Sequence, residues 1–165
     1  MSQLTVALIH AARERVIITT PYFVPEDAML QALRSAALRG VAVHLIVPLM
    51  SDHLLVRLAQ QSYYLGLLRD GVQIHRYRGG FLHAKHIAID NEVILIGSSN
   101  VDVRSFVLNA EVTLIIYDSQ VSAKLRELHE IQMQSSEVLS ISDWERRPLI
   151  VKLSENLVRL LSPLL

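Results

Sequence analysis

The chain contains no cysteine, which excludes a disulfide framework, a thiol nucleophile and a cysteine-ligated metal. It has no excess of either charge. Sixteen basic residues are balanced by sixteen acidic ones, so the total predicts no nucleic-acid binding by counterion release, and any basic patch is local. No window reaches the ~18 uninterrupted apolar residues that a spanning helix needs. The opening MSQLTVALIHAARERV lacks the basic start and apolar core of a signal peptide. Low-complexity linkers and internal repeats are also missing from the sequence.

What is present is a chain of 165 residues, half of them hydrophobic, which is about the size of one domain with a real core. Leu4 to Arg15 carries apolar residues at helical spacing and runs into a β-branched strand, VIITT, after which TPYFVPED breaks regular structure with two prolines. Glu26 to Arg39 predicts a helix ended by Gly40, and VAVHLIV a buried strand ended by Pro48. The alternation continues with a helix capped by Ser51 and Asp52, running to about Arg69 and closed by Gly71, and then the strand VQIHRY. HAKHIAI and VILIG, separated only by Asp90, Asn91 and Glu92, read as a hairpin, and AEVTLIIYD as a further strand. From Ser119 onward the pattern is helical, with a WERRP interruption before LIVKLSENLVRLL. The expected class is an α/β layered domain with a mixed sheet.

FLHAKHIAID sets two histidines and a lysine inside an apolar strand pattern. Alternation places His83 and Lys85 on one face and His86 and Asp90 on the other. An imidazole beside a fixed ammonium can act as nucleophile or proton carrier at a phosphoryl group whose charge the lysine offsets. A lone histidine in a strand is more often a hydrogen-bonded structural residue. The neighbouring GSSN raises the functional reading, because Gly97 permits close backbone approach and Ser98 and Asn100 supply donors for phosphate oxygens. Glu111, between Ala110 and the run VTLIIY, is costly to bury without a partner such as an imidazole, and otherwise reads as a water-facing glutamate on an edge strand.

These residues have the form H-x-K-x-x-x-x-D-x6-G-S-x-N, and by this motif the chain resembles the phospholipase D superfamily. TPYFVPED, LRSAALRGVAVHLIVP, SDHLLVRLAQQSYY, GGFLHAK, NVDVRSFVLNAEVTLIIYD and RLLSPLL are similar to the C-terminal half of bacterial cardiolipin synthases, over nearly the whole chain. The resemblance implies a single phospholipase D-like domain over residues 1–165, with an amphipathic helix over 148–165. It also implies metal-independent phosphatidyl transfer through a phosphohistidine intermediate, with no cofactor and no nucleic-acid partner. Two H-K-D histidines then act as nucleophile and general acid/base, His83 being one of them. Lys85 and Asn100 bind phosphate, Ser98 assists, Glu111 orients the motif histidine, and Asp90 completes the catalytic motif. The position of Asp90 in a hairpin turn favours a structural role instead.

Other candidates are less specific. Arg104 suits a bidentate contact to a lipid phosphate, or is a surface residue. Tyr22 and Phe23 line the substrate entrance on the resemblance, or pack beside the prolines. Arg76 and Arg78 read as a solvated face sooner than a basic rim, and Asp52 and His53 as a helix cap followed by a surface histidine. His10, His44, His75, His86 and His129 have no supporting constellation in the sequence. The final helix gathers Leu149, Ile150, Leu153, Leu157, Leu160 and Leu161 on one side, for which packing against the domain or a missing partner is the first explanation and membrane-surface attachment the second.

Only one H-x-K occurs, so half of a two-histidine site is absent. The expected partners are therefore a phospholipid substrate, phosphatidylglycerol, and either an N-terminal half or a second copy of the chain in a homodimer. By the resemblance the full-length enzyme is peripheral to the bacterial inner membrane or faces the cytoplasm from it, and this chain alone is soluble. A homodimeric phosphodiesterase or nuclease, or a catalytically incomplete domain, are the alternatives.

Overall fold

In a computed structural model, residues 2–51, 53–102 and 110–160 are described. Strand β1 (Arg15–Thr19) lies at the centre of a seven-stranded mixed sheet. On one side it pairs in parallel with β3 (Ala42–Pro48), which pairs in parallel with β4 (Gln73–Tyr77). On its other side the sheet turns antiparallel, through β5 (His86–Ile89), β6 (Val93–Gly97) and β8 (Thr113–Ile116). A small parallel pair, β2 (Phe23–Val24) with β7 (Val101–Asp102), ties the TPYF turn to the segment after GSSN.

The parallel half exists because helices return the chain across the sheet: α1 (Ser2–Ala11), α2 (Asp27–Leu38) and α3 (Leu54–Arg69) each precede a parallel strand. Gly40 and Gly71 take φ of +90° and +97° where α2 and α3 stop, a conformation that glycine adopts without steric cost. Val16, Ile18, Val43, Leu45, Val47, Ile74, Ile87 and Leu95 alternate onto one face and form the main apolar core.

The opposite face is different in kind. It carries Ile17, Thr19, His44, Ile46, His75 and His86, and is covered by α4 (Ser119–Gln134), whose start is capped by the Asp118 carboxylate at 2.8 and 2.9 Å from the N–H groups of Gln120 and Val121. Ile17, Ile46 and Leu82 meet Met133 there. Four of the histidines without a constellation in the sequence pair up on this face: His86 Nδ1 lies 3.1 Å from His129 Nε2, and His44 Nδ1 lies 3.1 Å from His75 Nε2. Burial pushes the imidazole pKa down to about 4 in His86 and His75 and about 3 in His129, where the neighbouring His86 adds to the effect. These rings fold in their neutral form.

Three elements depart from the sequence expectation. The segment Ser136–Val138 forms a strand, β9, antiparallel to β4 at the sheet edge. Its Glu137 binds both Arg76 (2.6 Å) and Arg78 (2.6 Å), so these arginines hold an edge strand instead of forming a rim. Asp52, one of the two expected caps of α3, lies outside the described residues, while the Ser51 hydroxyl accepts the His53 N–H at 3.4 Å. After a short α5 (Ile141–Glu145), helix α6 (Leu149–Arg159) does not pack its apolar side on the domain: Glu155 is its buried residue, and the leucines face outward.

Asp90 explains the register of the whole sheet centre. At the end of β5, in the left-handed region at φ +50°, its carboxylate accepts the N–H groups of Arg13 (3.2 Å), Glu14 (2.8 Å) and Arg15 (2.9 Å). Its own N–H donates to the Arg15 carbonyl at 2.7 Å. Burial pushes this carboxyl pKa up, but the three backbone donors and the Arg13 charge outweigh burial and hold it below the usual range.

Two outcomes follow. Replacing Asp90 by alanine leaves three backbone donors without their acceptor and sets a Cβ-bearing non-Asx residue at positive φ. The expected loss is about 2–4 kcal/mol in urea unfolding, with Asp90→Asn intermediate. For the histidines, the unfolded chain takes up protons near pH 6.5 while the folded pairs do not, so stability is complete above that value and falls with acidification toward about pH 4. Unfolding free energies from urea titrations are expected to stay level from pH 7.5 to about 6.5 and then to fall toward pH 4.5 by up to roughly 1.4 kcal/mol per pH unit for each such histidine; a flat profile contradicts the neutral pairing.

Candidate active site

The site begins where β5 has not yet started. Residues 81–85 lie outside the sheet ladder, so His83 and Lys85 precede the strand instead of lying in it. The expected pleat is therefore not what joins them. Lys85 turns back so that its Nζ donates to the His83 carbonyl oxygen at 3.0 Å. The His83 ring stacks on Phe81, with centroids 5.5 Å apart and planes at 15°. His83 is exposed at the surface, as a group that must meet an incoming phosphoryl has to be.

Lys85 is half-buried beside two carboxylates. Burial pushes its ammonium pKa down, and the negative charges of Glu111 and Asp102 act against that. The structure thus brings Glu111 to the motif lysine, and Asp102 with it. Asp102 is 6 % exposed on β7 and was missed in the sequence. The argument that singled out Glu111, a carboxylate set among apolar residues, applies equally to the NVDV stretch.

Backbone geometry connects this lead-in to the GSSN turn. Gly97 donates its N–H to the Lys85 carbonyl at 3.2 Å, and Ser98 N–H donates to Val112 O at 3.0 Å. A Cβ on Gly97 would stand 2.3 Å from Val112 O. The close approach that this glycine permits is therefore to the neighbouring strand. The Ser98 hydroxyl accepts the Val112 N–H at 3.1 Å and so helps fasten the turn to Glu111 and Val112. The buried Asn100 Oδ1 and Ser99 Oγ have no partner among the described residues. Lys85, Gly97 and Ser99 line one small cavity of about 30 Å³. Ser99 is the second residue missed in the sequence.

A larger cleft, of about 280 Å³, opens beside His83 and is walled by Tyr22, Met50, Phe81 and Leu82 with Pro21 and Pro48. Tyr22 is at the entrance, edge-on to His53 with ring centroids 5.8 Å apart. Phe23 is not. It is fully buried, edge-on to Tyr63, with its N–H on Gln60 Oε1 at 2.9 Å. Asp90 stands apart from His83, at the other end of β5 (His86–Ile89). Arg104 lies outside the described residues. Among those described, no group of three histidines or carboxylates has the placement of a metal site.

An exposed imidazole, an ammonium held on the same residue's backbone carbonyl and a row of small hydrogen-bonding residues form a device for attacking, or protonating at, a phosphoester. Comparison with known proteins gives a consistent result. The chain is 41% identical over 163 residues to a cardiolipin synthase A of Yersinia pseudotuberculosis, a match that covers 99% of the chain and 34% of that protein. The chain therefore spans about a third of the length of the curated relatives it matches. Among solved structures, a phosphatidylserine synthase from Haemophilus influenzae shares the fold at a TM-score of 0.82 and 19% identity, covering 99% of this chain and 44% of that one. The phospholipase D family member Nuc from Salmonella typhimurium does so at 0.73 and 18% identity, covering 84% of this chain and 90% of that one. With residues 5–131 matching the family model for the phospholipase D-like domain of cardiolipin synthase, the chain belongs to that family.

Proposed function

We propose that the chain is the C-terminal catalytic half of a cardiolipin synthase, a phospholipase D-type phosphatidyltransferase that works at the inner membrane of a bacterium and needs a second histidine from outside this chain. The observation that carries the reading is 41% identity to a cardiolipin synthase A across 99% of the chain. In this reaction one of the two histidines attacks the phosphorus of phosphatidylglycerol. A P–N bond forms, the P–O bond to glycerol breaks, and the other histidine gives the leaving alkoxide its proton. The hydroxyl of a second phosphatidylglycerol then returns that proton and attacks phosphorus, which regenerates the imidazole and yields cardiolipin. Lys85 and Asn100 hold the phosphoryl oxygens, Ser98 keeps the turn in place, and Glu111 orients His83. An Arg104 contact to phosphate belongs to the same proposal. Tyr22 stands where the lipid enters.

A second reading has its own support. The Nuc chain is matched over 90% of its length, so one copy of this fold accounts for nearly all of that chain. A homodimer of the present chain would place two copies of His83 about a two-fold axis and act as a phosphodiesterase with water as acceptor.

The test is glycerol release and cardiolipin formation from phosphatidylglycerol, with the chain alone and with a separately supplied N-terminal half. Paired halves are expected to make cardiolipin, His83→Ala to lower the rate by about 10³-fold or more, and Glu111→Gln by about 10²-fold. Because His83 is exposed, the alanine variant keeps its fold. Folded, paired halves that release no glycerol sink the first reading. A chain that hydrolyses a phosphodiester alone, while light scattering shows a dimer, establishes the second.

A further inference from the structure

Helix α6 has the polarity of an ordinary surface helix turned inside out. Leu149, Ile150, Leu153 and Leu157, with Leu160 just beyond, follow the spacing of one helical stripe and are 67–77% exposed. On the opposite side Glu155 is 2% exposed and is gripped by both guanidinium nitrogens of Arg147, which itself lies 3.4 Å over the Trp144 ring. Arg159 sits 4.4 Å over the ring of Tyr63 in α3. The helix is thus fastened by its charged side together with Val158, which packs on the core, and about 16 Å of apolar stripe faces outward. Scattered exposed leucines are ordinary, but a continuous stripe marks a docking surface.

The charges around the stripe choose the occupant. Arg146 precedes it, exposed, and Lys152 and Arg159 border it, the Lys152 ammonium on the Glu145 carbonyl at 2.5 Å and Arg159 over Tyr63, whereas the only carboxylate of α6 is Glu155, turned inward and neutralised. Of the two acids in α5, Glu145 is held by Arg69 at 2.6 Å. In sequence the helix has mixed polar character; once folded, its outward side is apolar with basic flanks. Two copies meeting stripe to stripe would oppose like charges, while an anionic lipid surface takes up both the leucines and the cations, whose long stems reach past the apolar boundary. The helix is also linked to the candidate site. It runs beside α3, from Glu145 on Arg69 to Arg159 on Tyr63, toward the end of α3 that follows Met50, a wall of the His83 cleft.

We propose that α6 is an interfacial helix that lays its outward stripe into an anionic phospholipid surface and so presents the domain to its lipid. The proposal takes from the reading above only the choice of phospholipid as the surface. It is tested by sedimenting the full chain with vesicles of phosphatidylcholine alone or mixed with phosphatidylglycerol. Binding to the mixed vesicles is expected. Leu153→Asp with Leu157→Asp should weaken it by more than about tenfold, with circular dichroism and thermal midpoint unchanged because both side chains are exposed. His83→Ala should bind as the unaltered chain does, so a failed transferase reading leaves this result standing. No binding to mixed vesicles, or equal binding by the double variant, overturns the proposal. So does a double variant that still binds vesicles but turns a dimer into a monomer in light scattering, which would make a second copy the occupant.

Discussion

The carboxylate of Asp90 is the constraint on which the rest of the structure hangs. At the centre of the sheet, parallel β1 meets antiparallel β5, and a seam of this kind has no crossover helix to set its register. Asp90 sets it by gathering three consecutive N–H groups, Arg13 to Arg15, at the point where α1 turns into β1. A slip of one residue would move His86 and Ala88 to the apolar face and Ile87 and Ile89 under α4. It would also displace everything attached to the other end of β5. The motif aspartate is therefore linked to the motif histidine through a strand.

The seam also divides the sheet chemically. On the α1 to α3 side the core is apolar, aliphatic with Phe23, Tyr63, Tyr64 and Trp144; on the α4 side it holds two pairs of neutral imidazoles. A ring nitrogen that donates to a neighbouring ring satisfies one polar group of each partner, and for His75, His86 and His129 the second nitrogen is buried without a partner. Each such group costs about 1–3 kcal/mol relative to a satisfied one. This face contributes less stability per residue than the aliphatic one and responds to acid, while the site residues, which stand at the surface, depend on it only through the position of β5.

Much of the fold was legible in the sequence because its signals are local. Gly40 and Gly71 mark helix ends, VAVHLIV and VQIHRY read as buried strands, and the Asp90 to Glu92 turn announces the hairpin. His83 and Lys85 were legible through their motif, but the reason for their proximity was not. Pleat alternation demanded a strand, whereas the chain reaches the same result with one side-chain bond to a carbonyl just before the strand begins. Phe23 was misplaced because a proline-flanked aromatic pair has no period from which to tell inside from outside. The histidine pairs span 31 and 43 residues, and no local pattern reports a contact at that distance. β9 was hidden for the opposite reason: three half-exposed residues are too few to show alternation, and it is held by Glu137 to two arginines and not by burial.

The orientation of α6 cannot be an accident of the domain's own stability, and magnitudes show why. Burying a leucine or isoleucine side chain is worth about 1.5–3 kcal/mol, so leaving Leu149, Ile150, Leu153, Leu157 and Leu160 largely in water forgoes several kcal/mol that the opposite orientation would recover in part. The ion pair that holds the helix as it is, Arg147 with Glu155, returns little net energy, because the desolvation of a buried pair roughly cancels its attraction. A pair of this kind is better at fixing direction than at supplying stability. A helix that packs Val158 on the core but turns its leucines outward leaves apolar area unburied, and that area is recovered only when a second surface covers it. Free energy withheld from folding in this way becomes free energy of association, which is the physical content of calling the stripe a docking surface.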